Sequence, residues 1–348
     1  MQKQAYIFTE CGSQIGYGHL TRCIALYDEL VALGVETKFV LNADDNSIAQ
    51  VLEERNFVLD NWYDDPWKAV GTNVSNEIYA IVDSYIAETE TYVKISTRVK
   101  HKNGIAQAIY MDDTNRLAYP SGIIVNPSFF GEDLNYNRRE DQIYLLGAQY
   151  IILRKAFYDL PNTTIRKEDN LKNILIVMGG ADVKNVTPKI MKALNDSTGF
   201  EDCMKHVVMG KGFDNIDEIK NQETKFTKLY DSLNAKEMRD LMLTCDVAIS
   251  AAGQTVHELL ATQLPFVCIK VVDNQAYNVK GLLEHGIIEK YFDFESKTDM
   301  QISKELEKLP EMLKSLYTDN KTKDAVLIEH GARNIVHELI NESDSNNL

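Results

Sequence analysis

Gly16-Tyr17-Gly18-His19-Leu20-Thr21-Arg22-Cys23 follows a short apolar strand at Tyr6, Ile7 and Phe8. Two glycines closing a tight turn between strand and helix mark a βα unit. The start of that helix offers unsatisfied backbone N–H groups and a positive dipole end, so it attracts an anion. The helix is expected from about His19 to Leu33, with Leu20, Cys23, Ile24, Tyr27, Leu30 and Val31 as its apolar stripe and Gly34 as its C-cap. A histidine at this position meets the positive end of the dipole, which favours the neutral ring and suits a general base. The alternative is a helix-start histidine that only hydrogen-bonds the loop. Gly16-x-Gly18 opens a dinucleotide fingerprint as well, but Thr21 replaces its third glycine and leaves the signal weak.

Outward from this stretch the pattern alternates strand and helix, which predicts α/β layers with parallel sheets. Strands are expected at Ala5–Phe8, Thr37–Leu41, Ile78–Val82, Ala106–Met111 and Gly122–Val125. The alternation restarts at Asn173–Met178 and continues at His206–Met209, Lys225–Leu229, Val247–Ser250 and Phe266–Val271. Leu160–Asp169 is polar, contains proline and lacks periodicity, so the boundary between two domains is placed there. In the second half, Ile174–Met178 runs into Gly179-Gly180-Ala181-Asp182, and Val247–Ser250 runs into Ala251-Ala252-Gly253-Gln254-Thr255. Small residues at a strand end let ligand oxygens approach the backbone. Ligands of open α/β sheets bind beyond the carboxyl ends of the strands.

The chain has 348 residues with a formal net charge of −15, and 44% of its residues are hydrophobic. That charge argues against nucleic acid or an anionic membrane surface as the main partner. Cys11, Cys23, Cys203, Cys245 and Cys268 are scattered, without a CxxC, and read as reduced thiols of a cytoplasmic protein. The N-terminus lacks a signal-peptide apolar region. No apolar run approaches the roughly 20 residues of a spanning helix, so no integral membrane segment is expected.

Other residues carry candidate chemistry. Arg22 lies one turn past His19 and either meets a phosphate or carboxylate or forms a structural ion pair. Thr255 and Glu258 fit a capping box; alternatively the turn holds a diphosphate and Glu258 accepts from a ribose diol. Asn274 either caps the next helix or, with Gln275 and Asn278, reads sugar hydroxyls and phosphate oxygens. Asp83-Ser84-Tyr85 and Asp112-Asp113 end two strands at the ligand edge. Neighbours in an extended chain point to opposite faces, so the two aspartates do not jointly clamp a metal; Asp113 reads as structural, with Arg116 a candidate partner. No metal-ligand spacing is present, and neither a metal nor another cofactor is expected.

Taken together, these motifs resemble the UDP-2,4-diacetamido-2,4,6-trideoxy-β-L-altropyranose hydrolase family of pseudaminic-acid biosynthesis, whose group includes spore-coat polysaccharide proteins. The resemblance runs through Gly16–Cys23, Val82–Tyr85, Met111–Arg116, Leu145–Arg154, Ile174–Asp182, Ser250–Thr255, Asp273–Gln275 and Gly331–Arg333. It implies an α/β, glycosyltransferase-B type fold: two Rossmann-like domains with parallel sheets facing across a cleft. The implied domains are 1–160, joined by a C-terminal helix at about 326–342, and 171–325. The implied activity is metal-independent, inverting hydrolysis of a UDP-sugar that releases UDP and the free amino sugar. The family's motif histidine falls on His19, as base. Gly16, Gly18, Arg22, Asp83, Tyr85, Asn274, Gln275 and Asn278 are the substrate-binding candidates. Gly179, Gly180, Ala252, Gly253, Gln254, Thr255 and Glu258 are the nucleotide-binding candidates. One departure stands out. The family's first strand commonly ends Arg-x-Asp, whereas this one ends Phe8-Thr9-Glu10-Cys11-Gly12. The competing readings are a glycosyltransferase of the same fold, a nucleotide-sugar-binding protein without turnover, and, more distantly, a dinucleotide-dependent oxidoreductase.

Overall fold

The computed structural model describes residues 2–12, 17–43, 48–52, 54–71, 77–158, 160, 170–318 and 330–340. The chain forms two compact units, one of Met1–Arg154 with Glu329–Leu348 and one of Lys155–Ile328. Of the expected boundary segment only Leu160 lies among the described residues.

The first unit runs β1 (Lys3–Cys11), α1 (Gly18–Ala32), β2 (Glu36–Ala43), α2 (Ile48–Leu52), β3 (Phe57–Leu59), β4 (Glu77–Asp83) and α3 (Thr89–Ser96). A small antiparallel hairpin, β5 (His101–Lys102) and β6 (Ile105–Ala106), precedes β7 (Ala108–Met111), β8 (Gly122–Asn126) and β9 (Gln142–Leu146). Seven strands make one sheet in the order β3-β2-β1-β4-β7-β8-β9, every pairing parallel. Strand residues alternate between two buried faces, as period-two geometry requires. Ile7, Phe39, Leu41, Ile81, Ile109 and Val125 pack with Leu20, Cys23, Leu26 and Leu30 of α1. Phe8, Val40, Val82 and Tyr110 pack on the other side against Trp62, Trp67, Tyr92 and Ile95.

Helix α1 ends in a Schellman motif. Gly34 takes φ +76° one residue past the C-cap Leu33, the Gly34 amide donates to the Val31 carbonyl, and the Val35 amide donates to the Leu30 carbonyl. Leu26 rather than Val31 completes the buried stripe. Val31 is 49% exposed because it sits beyond the edge of the sheet-facing arc.

The second unit runs β10 (Asn173–Val177), α4 (Thr187–Asn195), β11 (Met204–Met209), α5 (Ile216–Lys220), β12 (Thr227–Asp231) and α6 (Ala235–Met242). It continues with β13 (Val247–Ala251), α7 (Thr255–Ala261), β14 (Phe266–Lys270), α8 (Ala276–Glu284), β15 (Phe292–Asp293), α9 (Asp299–Leu306) and α10 (Leu309–Thr318). Its six parallel strands are ordered β12-β11-β10-β13-β14-β15. One face buries Ile174, Ile176, Val207, Ile249 and Ile269 against Ile190, Leu194, Ile302 and Leu313. The last helix, α11 (Gly331–Ile340), belongs to the first unit, where Ile335, Val336 and Leu339 join the α1 side of the core.

Setting the hairpin aside, both sheets have the doubly wound order 3-2-1-4-5-6, extended by one strand in the first unit. The strand order reverses between β1 and β4 in one sheet and between β10 and β13 in the other. Ligands of such sheets bind at that reversal, outside the carboxyl ends.

Candidate active site

In the first unit the reversal point is built from the end of β1, the start of α1 and the loop after β4. His19 is the second residue of α1 and is 6% exposed. Its Nδ1 lies 2.5 Å from Oδ1 of Asp83, the last residue of β4, which is fully buried. Burial alone would raise the Asp83 carboxyl. The Arg22 charge, then His19 and the hydrogen bonds from both outweigh it and hold that carboxyl well below the usual range. An ionised carboxylate only accepts, so His19 Nδ1 carries the proton of this bond, and the neutral tautomer with that proton has its acceptor at Nε2.

Arg22 and His19 share one face of α1, as their spacing predicts. Arg22 grips Asp83 through Nε (2.5 Å) and Nη2 (2.6 Å), and grips Asp113 through Nη1 (2.8 Å) and Nη2 (2.9 Å). At 7% exposure its guanidinium is engaged by two carboxylates, as the ion-pair alternative expects. Asp83 is likewise engaged by His19 and Arg22. Asp113 pairs with Arg22 and not with Arg116. The Asp112 carboxylate accepts the amides of Thr114 and Arg116, and this tight turn aims Arg116 at the carbonyls of Ser84 (3.1 Å) and Ala87 (2.9 Å).

Tyr85 closes the constellation. Its hydroxyl donates to Asp113 Oδ2 at 2.6 Å, and its ring forms a T-shaped contact with the His19 ring, 4.3 Å between centroids at 88°. Burial first, then the Asp113 charge, push the phenol above its ordinary range, so it stays protonated as a donor. Tyr85 remains 45% exposed. Gly18 begins α1, and a Cβ there would meet nothing within 4 Å. Gly16 lies outside the described residues.

The second unit presents backbone instead of charge. Gly179, two residues past the end of β10, takes φ +87°, and Gly180 follows it, exposed. Gly210, which the sequence reading passed over, makes this turn possible. A Cβ at Gly210 would lie 2.3 Å from the Gly180 carbonyl oxygen and 2.6 Å from that of Gly179. The signal was a glycine right after the β11 run. Asp182 anchors the same loop by accepting the amides of Val186 (2.9 Å) and Thr187 (2.8 Å) and the Asn215 side chain (2.9 Å).

After β13 come Ala252, Gly253 and Gln254, then α7. A Cβ at Gly253 would meet nothing within 4 Å. The capping box expected at Thr255 is absent: Gln254 already has helical angles (φ −59°, ψ −27°) and no side chain caps the helix. Thr255 therefore lies inside the helix, where an N-cap's extended geometry is lost. Glu258 sits in that helix at 8% exposure. Asn274 does not cap α8 either; a short 3-10 turn at Asp273–Gln275 intervenes, and Gln275 Oε1 accepts the Val271 amide at 2.8 Å. Asn278 Nδ2 donates to the Ala252 carbonyl at 3.1 Å, tying α8 to the turn after β13. Gln275 and Asn278 thus each hold backbone with one end of their amide, while Asn274 is exposed.

Among the described residues, no group of three or more His, Cys, Asp or Glu side chains could hold a metal ion, and no helix is long and apolar enough to cross a membrane.

Residues 173–339 match the glycosyltransferase family 28 C-terminal domain. MurG of Acinetobacter baumannii superposes with a TM-score of 0.63 over 97% of this chain and 99% of that one, at 13% identity. The chain has the glycosyltransferase-B fold, two Rossmann-like domains. In sequence it is 26% identical to the uncharacterized protein MJ1062 of Methanocaldococcus jannaschii over 333 residues, 90% of this chain and 67% of that protein. It is 25% identical over 289 residues to the pseudaminic acid cytidylyltransferase and UDP-2,4-diacetamido-2,4,6-trideoxy-β-L-altropyranose hydrolase of Helicobacter pylori, 82% of this chain and 47% of that protein. The chain thus spans about half the length of that relative.

Proposed function

We propose that this chain hydrolyses a nucleotide sugar. Water attacks the anomeric carbon with inversion, the bond from that carbon to the phosphate oxygen breaks, and UDP leaves with the bonding electrons. The free sugar, a diacetamido-deoxy hexose or a close relative, is the other product, a precursor for a nonulosonic acid or a related surface glycan. One observation carries this reading: the His19–Asp83 pair at the reversal point of the first sheet, 2.5 Å apart. Nε2 of His19 takes the proton from water as it attacks, and Asp83 stabilises the imidazolium that forms. Tyr85 borders the sugar.

The second unit is assigned the nucleotide. Negative charge grows on the leaving diphosphate as the bond breaks. Backbone N–H groups around Gly179–Gly180 and Ala252–Gly253–Gln254–Thr255 are preorganised to receive it, and no step of the scheme calls on a metal. Glu258 is assigned to the ribose hydroxyls, and Asn274, Gln275 and Asn278 to the sugar and phosphates. Residues 1–160 with the helix near 326–342 form the sugar side, and 171–325 the nucleotide side. The five cysteines, all buried free thiols, support placement in the cytoplasm.

The match to a glycosyltransferase domain supports a second reading, transfer of the sugar to an acceptor hydroxyl by the same base. UDP release from a panel of nucleotide sugars, with and without acceptors, separates the two. Hydrolysis predicts release without acceptor. His19→Asn is expected to lose about 10²–10⁴-fold in kcat, with UDP affinity unchanged. Near-normal turnover in that variant removes His19 from the role of base.

A further inference from the structure

The departure at the end of β1 leads to Glu10. This side chain is fully buried, and no cation lies within ion-pairing distance among the described residues. A buried carboxylate without a counter-charge is costly, and only dense hydrogen bonding makes it tolerable. Glu10 Oε2 accepts from Ser84 Oγ at 2.6 Å and from the Tyr63 hydroxyl at 2.9 Å, while Oε1 accepts the Tyr85 amide at 2.8 Å. All three partners donate. A carboxylate presents acceptors only, whereas glutamine would turn an NH₂ toward at least one donor.

The bonds converge on one short segment. Ser84 Oγ passes the arrangement on by accepting the amides of Ile86 (3.0 Å) and Ala87 (2.9 Å). From the other side Arg116 holds the carbonyls of Ser84 and Ala87. Backbone 84–87 is therefore pinned by buried polar groups, yet the side chains it displays, Tyr85 and Ile86, are 45% and 48% exposed. The pinning does more than bury Ser84 and Ala87. It fixes where Tyr85 stands relative to the His19 ring and to Asp113.

We propose that Glu10 is a positioning residue that acts through Tyr85, holding its ring against His19 and its hydroxyl on Asp113. This rests on the hydrolase reading, with Tyr85 bordering the sugar. Misplacing a reacting group by about 1 Å costs on the order of 10²-fold in rate. Glu10→Gln is close to isosteric and is expected to lower kcat by about 10–100-fold, with KM and UDP affinity within threefold of wild type. Tyr63→Phe removes one of the three donors and is expected to cost less. The deciding measurement is a double-mutant cycle. In a Tyr85→Ala background, adding Glu10→Gln should cost less than threefold, because the residue through which it acts is gone. Wild-type kcat in Glu10→Gln overturns the proposal. So do fully multiplicative effects with Tyr85→Ala, or a loss of UDP affinity and melting temperature that parallels the loss of kcat.

If wild-type protein releases UDP from no nucleotide sugar, the hydrolase reading fails, and the positioning claim is read by NMR instead. At 4.3 Å between centroids the ring current of Tyr85 shifts the His19 ring protons. In labelled protein, with His19 assigned through His19→Asn, Glu10→Gln should move that signal, and an unmoved signal overturns the proposal.

Discussion

Asp83→Asn tests the centre of the site. In the native chain Asp83 accepts three strong bonds, from Arg22 Nε, Arg22 Nη2 and His19 Nδ1, at 2.5, 2.6 and 2.5 Å. Asparagine has one oxygen where there were two. If that oxygen faces Arg22 Nε, the NH₂ confronts His19 and forces the proton onto Nε2, abolishing the proposed base. If it faces His19, the NH₂ confronts the Arg22 Nε–H. Either way a buried donor loses its acceptor, and Arg22 keeps only Asp113 as counter-charge. Breaking a buried pair from one side costs about 3–5 kcal/mol, and Asp113 should keep the loss near the lower figure. For a unit of this size that lowers the melting temperature by roughly 6–20 °C.

Turnover should fall by about 10²–10⁴-fold through the wrong tautomer, while UDP binding to the second unit is retained. The pH dependence has a definite sign. Asp83 titrates below its ordinary value when folded, so the folded chain binds this proton more weakly than the unfolded chain. The stabilisation is complete above the unfolded value of about 3.9 and drains away as pH falls toward the folded value. The stability gap between wild type and Asp83→Asn should therefore narrow on acidification below about pH 4. Thermal denaturation between pH 3 and 7 and a UDP-release assay make the check. A variant that melts like wild type and turns over within threefold refutes the assignment of Asp83.

Gly253→Ala should melt like wild type, since its Cβ meets nothing within 4 Å, yet bind UDP at least about tenfold more weakly by calorimetry if phosphate oxygens approach that backbone. Gly210→Ala should do the reverse first: a Cβ 2.3 Å from the Gly180 carbonyl oxygen forces the turn apart, and denaturant titration should show a loss of about 1–3 kcal/mol. Lys205 is 1% exposed, and burial lowers its pKa, so its charge favours the unfolded chain at neutral pH. Lys205→Met should raise the melting temperature at pH 7, and this gain should vanish as pH rises past the unfolded lysine value of about 10.4.

Much of the fold is legible because parallel strands buried on both faces must be continuous runs of Val, Ile and Leu. Ile174–Val177, Val247–Ile249 and Ile7–Phe8 announce themselves. Phe57–Leu59 does not, being a three-residue edge strand, and Gln142–Leu146 does not, because it begins polar at the opposite edge. His19 is legible from its glycine turn. Its partner is not, since 64 residues separate His19 from Asp83 and nothing local says that their side chains meet. Asp113 invites a pairing with Arg116 by proximity, but the Asp112 turn intervenes and sends Arg116 elsewhere. Glu10 gave a faint signal, a charge at the end of an apolar strand. Only the folded chain explains it, through donors arriving from residues 63, 84 and 85.

The glycines sharpen the link from fold to chemistry. At Gly131, Gly210 and Gly331 a Cβ would come within 2.8, 2.3 and 2.2 Å of backbone oxygens, so the packing itself demands glycine there. Gly18, Gly180 and Gly253 are different. None has a positive φ, and a Cβ at any of them would meet open space. A residue with a side chain would fold there as well, and it would lower the backbone entropy lost on folding. All three lie beyond the carboxyl ends of β1, β10 and β13, the strands beside the two reversal points. What a bare backbone offers at those places is close approach for something outside the chain. Under the proposed function that approach belongs to a ligand, and in the second unit, where the loops carry amides and little charge, the proposed ligand is the diphosphate.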